Sequence, residues 1–65
     1  MRIYDVTFID KNTKENIIII RENANGKDKA KSSAIKHFKY THRDTDMDNV
    51  EIKIEQVDVN NENWL

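Results

Sequence analysis

The sequence predicts an α+β domain, a ββαβ unit in which one helix covers one face of a three-stranded mixed sheet. Two segments of alternating apolar and polar residues and one run of isoleucines predict the strands, and a segment with helical periodicity precedes the third strand. A right-handed crossover makes the second and third strands parallel, which places the first strand between them in the order 2-1-3. The chain of 65 residues forms one domain, residues 1–60, with a tail at 61–65.

The first strand is predicted over residues 2–9. Tyr4, Val6 and Phe8 lie on one face of it, whereas Ile3 and Ile9 lie on the other face. Aromatic and β-branched residues at these positions are typical of a strand. A polar segment at 10–15 then forms the loop of a hairpin.

The second strand contains four consecutive isoleucines, at 17–20, where a strand buried on one face would alternate. We expect two of them to face the helix and two to join Ile3 and Ile9 on the opposite face, which has no second layer. An exposed apolar face of this kind indicates an interface. Two alternatives are that Trp64 and Leu65 fold back over it and that it stays exposed to water.

The helix is predicted over residues 26–42, with Asn25 as N-cap and Asp28 completing a capping box. An apolar stripe along it packs on the sheet. The third strand begins at residue 50, and it either continues to 59 with a bulge near Gln56 or ends near 55. The residues predicted to be buried are Tyr4, Val6, Phe8, Ala34, Phe38, Ile52 and Ile54.

Composition excludes several classes of protein. The chain has no cysteine, so disulfides and thiolate metal sites are excluded, and no motif predicts a cofactor. No signal peptide is visible, and the longest apolar run is four residues, so we expect a cytoplasmic protein that does not span a membrane. Abundant Ile, Asn and Lys, which have AT-rich codons, indicate a low-GC bacterium or its phage as the source.

Charge is unevenly distributed along the chain. Residues 27–43 carry six basic and one acidic side chain, whereas residues 44–65 carry seven acidic and one basic. Such asymmetry bears on partners. Carboxylates along one edge predict a surface that meets a basic partner or imitates a phosphate backbone. The predicted partner-binding site combines the outer sheet face with this acidic edge. Its residues are Ile3, Ile9, Ile17, Ile19, Asp44, Asp46, Asp48, Glu51 and Glu55.

The acidic segment "DTDMDNVEIKIE" also resembles an EF-hand loop, with Asp44, Asp46, Asp48 and Glu55 at ligand positions 1, 3, 5 and 12. Asn49 stands where the loop requires glycine. The strand pattern carries Glu55 about 23 Å from Asp48 at roughly 3.3 Å per residue, too far to close a site. A weak divalent-cation site formed by the three aspartates is therefore an alternative. Without such a site, the segment is an acidic loop exposed to solvent.

The outer face of the predicted helix is basic and suits a nucleic acid. Lysines there could bind phosphates and an aromatic ring could stack on bases. This alternative site consists of Lys29, Lys36, Lys39, Tyr40 and Arg43. Catalysis is not predicted, because Ser33 and His37 are the only neighbouring hydroxyl and imidazole and no third member of a triad is evident.

The stretch "YDVT" from Tyr4 to Thr7, together with the element order, resembles small ββαβ bacteriophage inhibitor proteins. Among these proteins, the chain resembles the uracil-DNA glycosylase inhibitors of Bacillus phages, a family of dimeric DNA mimics. The basic helix departs from the acidic surface of a mimic, and no site residue is carried over. The resemblance implies a phage or mobile-element protein that binds a host protein.

We therefore predict a small non-enzymatic protein-interaction module that binds and modulates a host or defence protein. We also predict a homodimer. The isoleucine strand lies at an edge of the sheet in the order 2-1-3, and it has both an unpaired backbone and an apolar outer face. A small chain without disulfides gains stability from such burial.

Overall fold

The computed structural model describes residues 2–57, which form three strands, one α-helix and one 3-10 turn. Strands β1 (Arg2–Asp10) and β2 (Asn16–Ala24) form a hairpin, and helix α1 (Lys27–Thr41) follows it. A 3-10 turn at Met47–Asn49 leads directly into β3 (Val50–Val57). The predicted ββαβ order is confirmed, and residues 50–55 form a strand with no helical segment.

The sheet has the predicted order β2-β1-β3 and is antiparallel throughout. The predicted mixed sheet is wrong, because β2 and β3 run parallel to each other but neither is the other's neighbour. The β1–β3 register runs without interruption from Asp10 opposite Val50 to Ile3 opposite Val57. The predicted bulge near Gln56 is therefore absent, and β3 continues past residue 55 to its described end at Val57.

A β-bulge does occur, but it lies in β2. Phe8 pairs with Ile18, whereas the next residue, Ile9, pairs with Asn16. Ile17 is thus an extra residue, and it packs against the core together with Ile18 and Ile20. The prediction that two isoleucines face outward, Ile17 among them, is wrong. Only Ile19 is left on the outer face, where 53% of it is exposed.

The helix is one residue shorter at each end than predicted. Its N-cap is Gly26, which is extended and makes no side-chain capping bond, so the prediction of Asn25 as N-cap is wrong. The last turn ends where the backbone N–H of His42 donates to the carbonyl of Phe38, at 2.7 Å.

The core lies between β1 and the helix. The rings of Phe8 and Phe38 stack with centroids 4.3 Å apart, and both are fully buried. The buried apolar residues are Tyr4, Val6, Phe8, Ala24, Ala30, Ala34, Phe38 and Val50. Five of the seven predicted core residues are confirmed, but Ile52 and Ile54 are only half-buried. The helix lies closer to β2 and β1 than to β3, which leaves these two side chains at an open flank.

Three expectations fall outside the described residues. These are the tail at 61–65, the cover formed by Trp64 and Leu65, and the continuation of β3 to Val59.

Candidate interaction surfaces

The outer sheet face mixes apolar and charged side chains. Its rows follow from the register: Thr7 lies between Ile19 and Lys53, and Asp5 lies between Arg21 and Glu55. Ile3 and Ile9 are half-buried in the central strand. Because the bulge removes Ile17 from this face, its isoleucines are reduced to Ile3, Ile9 and Ile19, and Ile3 lies opposite Val57 of β3. The face is more polar than the sequence indicated.

An ion pair lies at the middle of the outer face. The Arg21 guanidinium donates to both oxygens of Asp5, with Nε–Oδ1 at 2.8 Å and Nη2–Oδ2 at 3.2 Å. This hydrogen bonding is the main reason that the pKa of Asp5 lies below its ordinary value of 3.8, and it raises the pKa of Arg21. Arg21 is therefore already bound within the chain.

The predicted acidic edge is interrupted by lysines from the β1–β2 loop. Lys11 Nζ donates to the carbonyl of Asp48 at 3.1 Å, and Lys14 Nζ lies 4.0 Å from Glu51. The backbone of this loop is bound there too, since the N–H of Lys11 donates to the carbonyl of Asn49. The edge is thus a surface of mixed charge, unlike the continuous row of carboxylates that a phosphate mimic would present.

The aspartates of the acidic loop do not converge on one point. Asp44, Asp46 and Asp48 are all exposed. Asp46 caps the 3-10 turn, because its carboxylate accepts the backbone N–H of Asp48 at 3.0 Å. Within residues 2–57, no three His, Asp or Glu side chains form a group that could hold a metal ion. The geometry gives the cation hypothesis no support.

The basic residues of the helix form one exposed face, as their spacing predicted. Lys29, Lys36, Lys39 and Tyr40 are exposed on the helix, whereas Arg43 is exposed but lies just after the helix ends. Tyr40 is 73% exposed, and the Arg43 guanidinium lies 5.5 Å from its ring centroid. One face of the Tyr40 ring is thus occupied by a cation from the same chain.

A buried carboxylate that sequence reasoning missed lies on the helix side of β2. Glu22 is 9% exposed, and one of its oxygens lies 2.8 Å from His37 Nδ1. Because an ionised carboxylate only accepts, Nδ1 carries the proton in that state. Ser33, one helical turn before His37, makes no hydrogen bond to this imidazole in the described structure. The pair therefore joins the helix to β2 but lacks a positioned nucleophile.

The open flank of the fold lies along β3. His37 contacts β2, and Ile35 lies about 160° away around the helix, on the flank that faces away from β2. Ile35, Ile52 and Ile54 are half-buried against the core. Among the described residues, β3 pairs only with β1, so its other edge has unpaired backbone groups. Half-buried isoleucines and an unpaired strand edge therefore lie side by side.

No helix in residues 2–57 is long and apolar enough to cross a membrane. Comparison with protein-family models, with curated proteins and with solved structures finds no match to this chain.

Proposed function

We propose that this chain is a small protein-interaction module that binds an extended segment of a partner protein along the outer edge of β3. The observation that carries the proposal is the open flank, where an unpaired and unbulged strand lies beside Ile52 and Ile54. Strand addition uses the backbone for affinity and adjacent side-chain pockets for specificity. The resemblance to phage inhibitors suggests a host protein as the partner.

The structure favours β3 over the outer sheet face as the binding surface. Exposed apolar area that is contiguous marks contact sites, whereas isolated apolar side chains are ordinary. On the outer face, Ile19 is flanked by Thr7 and has Arg21 two residues away on its own strand. At the open flank, by contrast, Ile52 and Ile54 follow each other on one face of β3.

A capture experiment with two matched variants tests this proposal. The wild-type chain, Ile54→Lys and Ile19→Lys are immobilised and exposed to a lysate of a low-GC bacterium, after circular dichroism confirms that each variant is folded. We expect a protein that the wild type and Ile19→Lys capture and that Ile54→Lys loses. Loss with Ile19→Lys and retention with Ile54→Lys would assign binding to the outer face and contradict the proposal.

The exposed basic helix face supports a second candidate, a nucleic-acid-binding module. Lys36 and Lys39 are exposed on the same face as Tyr40. A salt-dependent gel-shift assay separates the two functions, because phosphate contacts weaken with salt. Binding to DNA or RNA that falls several-fold on replacing both lysines with alanine would favour this candidate, whereas equal binding by the wild type and this variant would remove it.

A further inference from the structure

The side chains of β3 carry a pattern that is complementary to itself. Glu51, Lys53 and Glu55 are exposed and alternate in sign on the outer face, while Ile52 and Ile54 alternate with them on the helix side. We propose that the edge of β3 pairs with the same edge of a second copy of this chain, antiparallel and about a twofold axis at Ile54. This inference rests on the proposed function, because it concerns the same edge: a second copy pairs with β3 when no segment of another protein does, so the two compete for it.

Charge limits where the twofold axis can pass. In an antiparallel pair about a twofold axis, the residue on the axis lies opposite its own copy, and residues equally far from it on either side lie opposite each other. An axis at Lys53 would place two lysines together and Glu51 opposite Glu55, and like charges directly opposite are destabilising. An axis at Ile52 or at Ile54 instead forms two Glu–Lys pairs.

Strand length and the acidic loop favour the axis at Ile54. This axis pairs residues 51–57, all of which belong to β3. An axis at Ile52 would bring Glu55 opposite Asn49 of the second copy, within its 3-10 turn and next to Asp48. The shorter overlap and the neighbouring carboxylates both disfavour that register.

The resulting dimer covers the open flank. Pairing about Ile54 forms a six-stranded sheet with both helices on one side, so the two open flanks face each other between the helices. Lys53 then lies opposite Glu55 of the second copy, and Ile52 lies opposite Gln56 of the second copy. Half-buried isoleucines from both copies meet, and the burial of apolar area stabilises the dimer.

The other edge of the sheet is less suited to such pairing. The bulge at Ile17 interrupts β2, and bulges disturb the pairing of an edge strand. The only basic residue of β2, Arg21, is already bound to Asp5. We therefore place the predicted homodimer at β3, whereas the sequence alone had suggested the isoleucine strand.

Charge reversal tests the interface and its register in one experiment. The full chain is compared with Lys53→Glu and Glu55→Lys by sedimentation equilibrium, with circular dichroism to confirm folding. We expect the wild type to dimerise and each variant to dimerise roughly tenfold or more weakly, because two attractive cross-strand pairs become repulsive. Mixing the two variants should restore dimers. One chain then carries glutamates at positions 53 and 55 and the other carries lysines there, so both cross-strand pairs join opposite charges.

Three outcomes would overturn the inference. The first is a wild type that stays monomeric up to roughly 1 mM, beyond the weak range of protein association. The second is a dimer that Lys53→Glu leaves unchanged, and the third is a pair of variants that does not form dimers on mixing.

In the third case, dimers formed by mixing the single variants Glu51→Lys and Lys53→Glu would place the axis at Ile52. A monomeric wild type whose captured protein is still lost with Ile54→Lys would exclude the second copy and leave the proposed function intact.

Discussion

The two edge strands of this sheet are similar in apolar content and differ in what surrounds them. In β2, a bulge and the nearby helix bring three of four isoleucines against the core. In β3, the strand is regular and the helix lies farther away, while Ile52 and Ile54 are half-buried, as the three inward isoleucines of β2 are. The two edges thus differ in the regularity of the strand and in the position of the helix, and not in the burial of their isoleucines.

The charged residues of the two edge strands also differ in how many ion-pair partners they have within the chain. Arg21 and Glu22 of β2 are bound to Asp5 and His37, respectively. Among residues 2–57, Lys53 and Glu55 of β3 have no ion-pair partner within 4.0 Å, whereas the other acid, Glu51, lies at that distance from Lys14. Polar groups of β2 therefore stabilise the monomer, whereas those of β3 are available to a partner.

The largest expected effect comes from removing the ring that holds the helix over β1. Phe38→Ala should lower the free energy of unfolding by about 3–5 kcal/mol, because a fully buried ring leaves a cavity when truncated. It also removes the stacking partner of Phe8. Urea denaturation followed by circular dichroism measures the loss.

Tyr40→Ala is the matched control, since this aromatic ring lies on the same helix and is 73% exposed. Its effect should stay within about 0.5 kcal/mol. A Phe38→Ala variant as stable as Tyr40→Ala would contradict the placement of the helix that makes the two edges different.

Strand order follows from the element order and the right-handed crossover rule, and the central core row follows from periodicity. Tyr4, Val6 and Phe8 alternate cleanly, and their predicted burial is confirmed. The bulge could not be predicted, since four identical residues look the same whether or not one of them is extra. The lateral position of the helix depends on packing between distant segments, so the half-exposure of Ile52 and Ile54 was also missed.

Glu22 is the residue that sequence reasoning overlooked, although a signal for it existed. It has the same parity as Ile18 and Ile20, which face the helix, and it lies opposite the buried Tyr4. His37 lies about 20° from Ala30 around the helix, at the border of the buried stripe. A carboxylate and an imidazole that both border the core would therefore have predicted this pair.

The pair between Glu22 and His37 offers the next test of how closely the helix holds β2. His37→Ala should cost about 1–3 kcal/mol, because it removes the partner of a carboxylate that is almost fully buried. Chemical denaturation at neutral pH gives the value.

A double-mutant cycle isolates this contact from the loss of the imidazole itself. In a Glu22→Gln background, His37→Ala should cost less than in the wild type. Equal costs in both backgrounds would show that the two side chains do not stabilise each other. The exposed neighbour variant Lys36→Ala should change stability by no more than about 0.5 kcal/mol.

A pair of isoleucine variants tests the bulge itself. Ile17→Ala should cost about 1–2 kcal/mol, roughly half the loss for a fully buried side chain, because Ile17 is half-buried against the core. Ile19→Ala should cost clearly less, since 53% of Ile19 is exposed. A regular strand would place both residues on one face, so equal losses in thermal or urea unfolding would argue against the bulge.

The smallest effect concerns the outer face, where β2 supplies a cation to Asp5 and β3 places Glu55 opposite it. Hydrogen bonding to Arg21 lowers the pKa of Asp5 in the folded chain below its ordinary value of 3.8. The stability from this pair is therefore fully present above the unfolded pKa and is lost as pH falls through the lowered folded pKa. The melting temperature of the wild type should exceed that of Asp5→Asn by a constant margin above about pH 5 and converge with it toward about pH 2. In the Asp5→Asn background, Arg21→Gln should add no further pH dependence in this window.

A difference in melting temperature that stays unchanged down to about pH 2 would mean that Arg21 does not bind the Asp5 carboxylate. The contrast between a paired β2 side and an unpaired β3 side of the outer face would then fail.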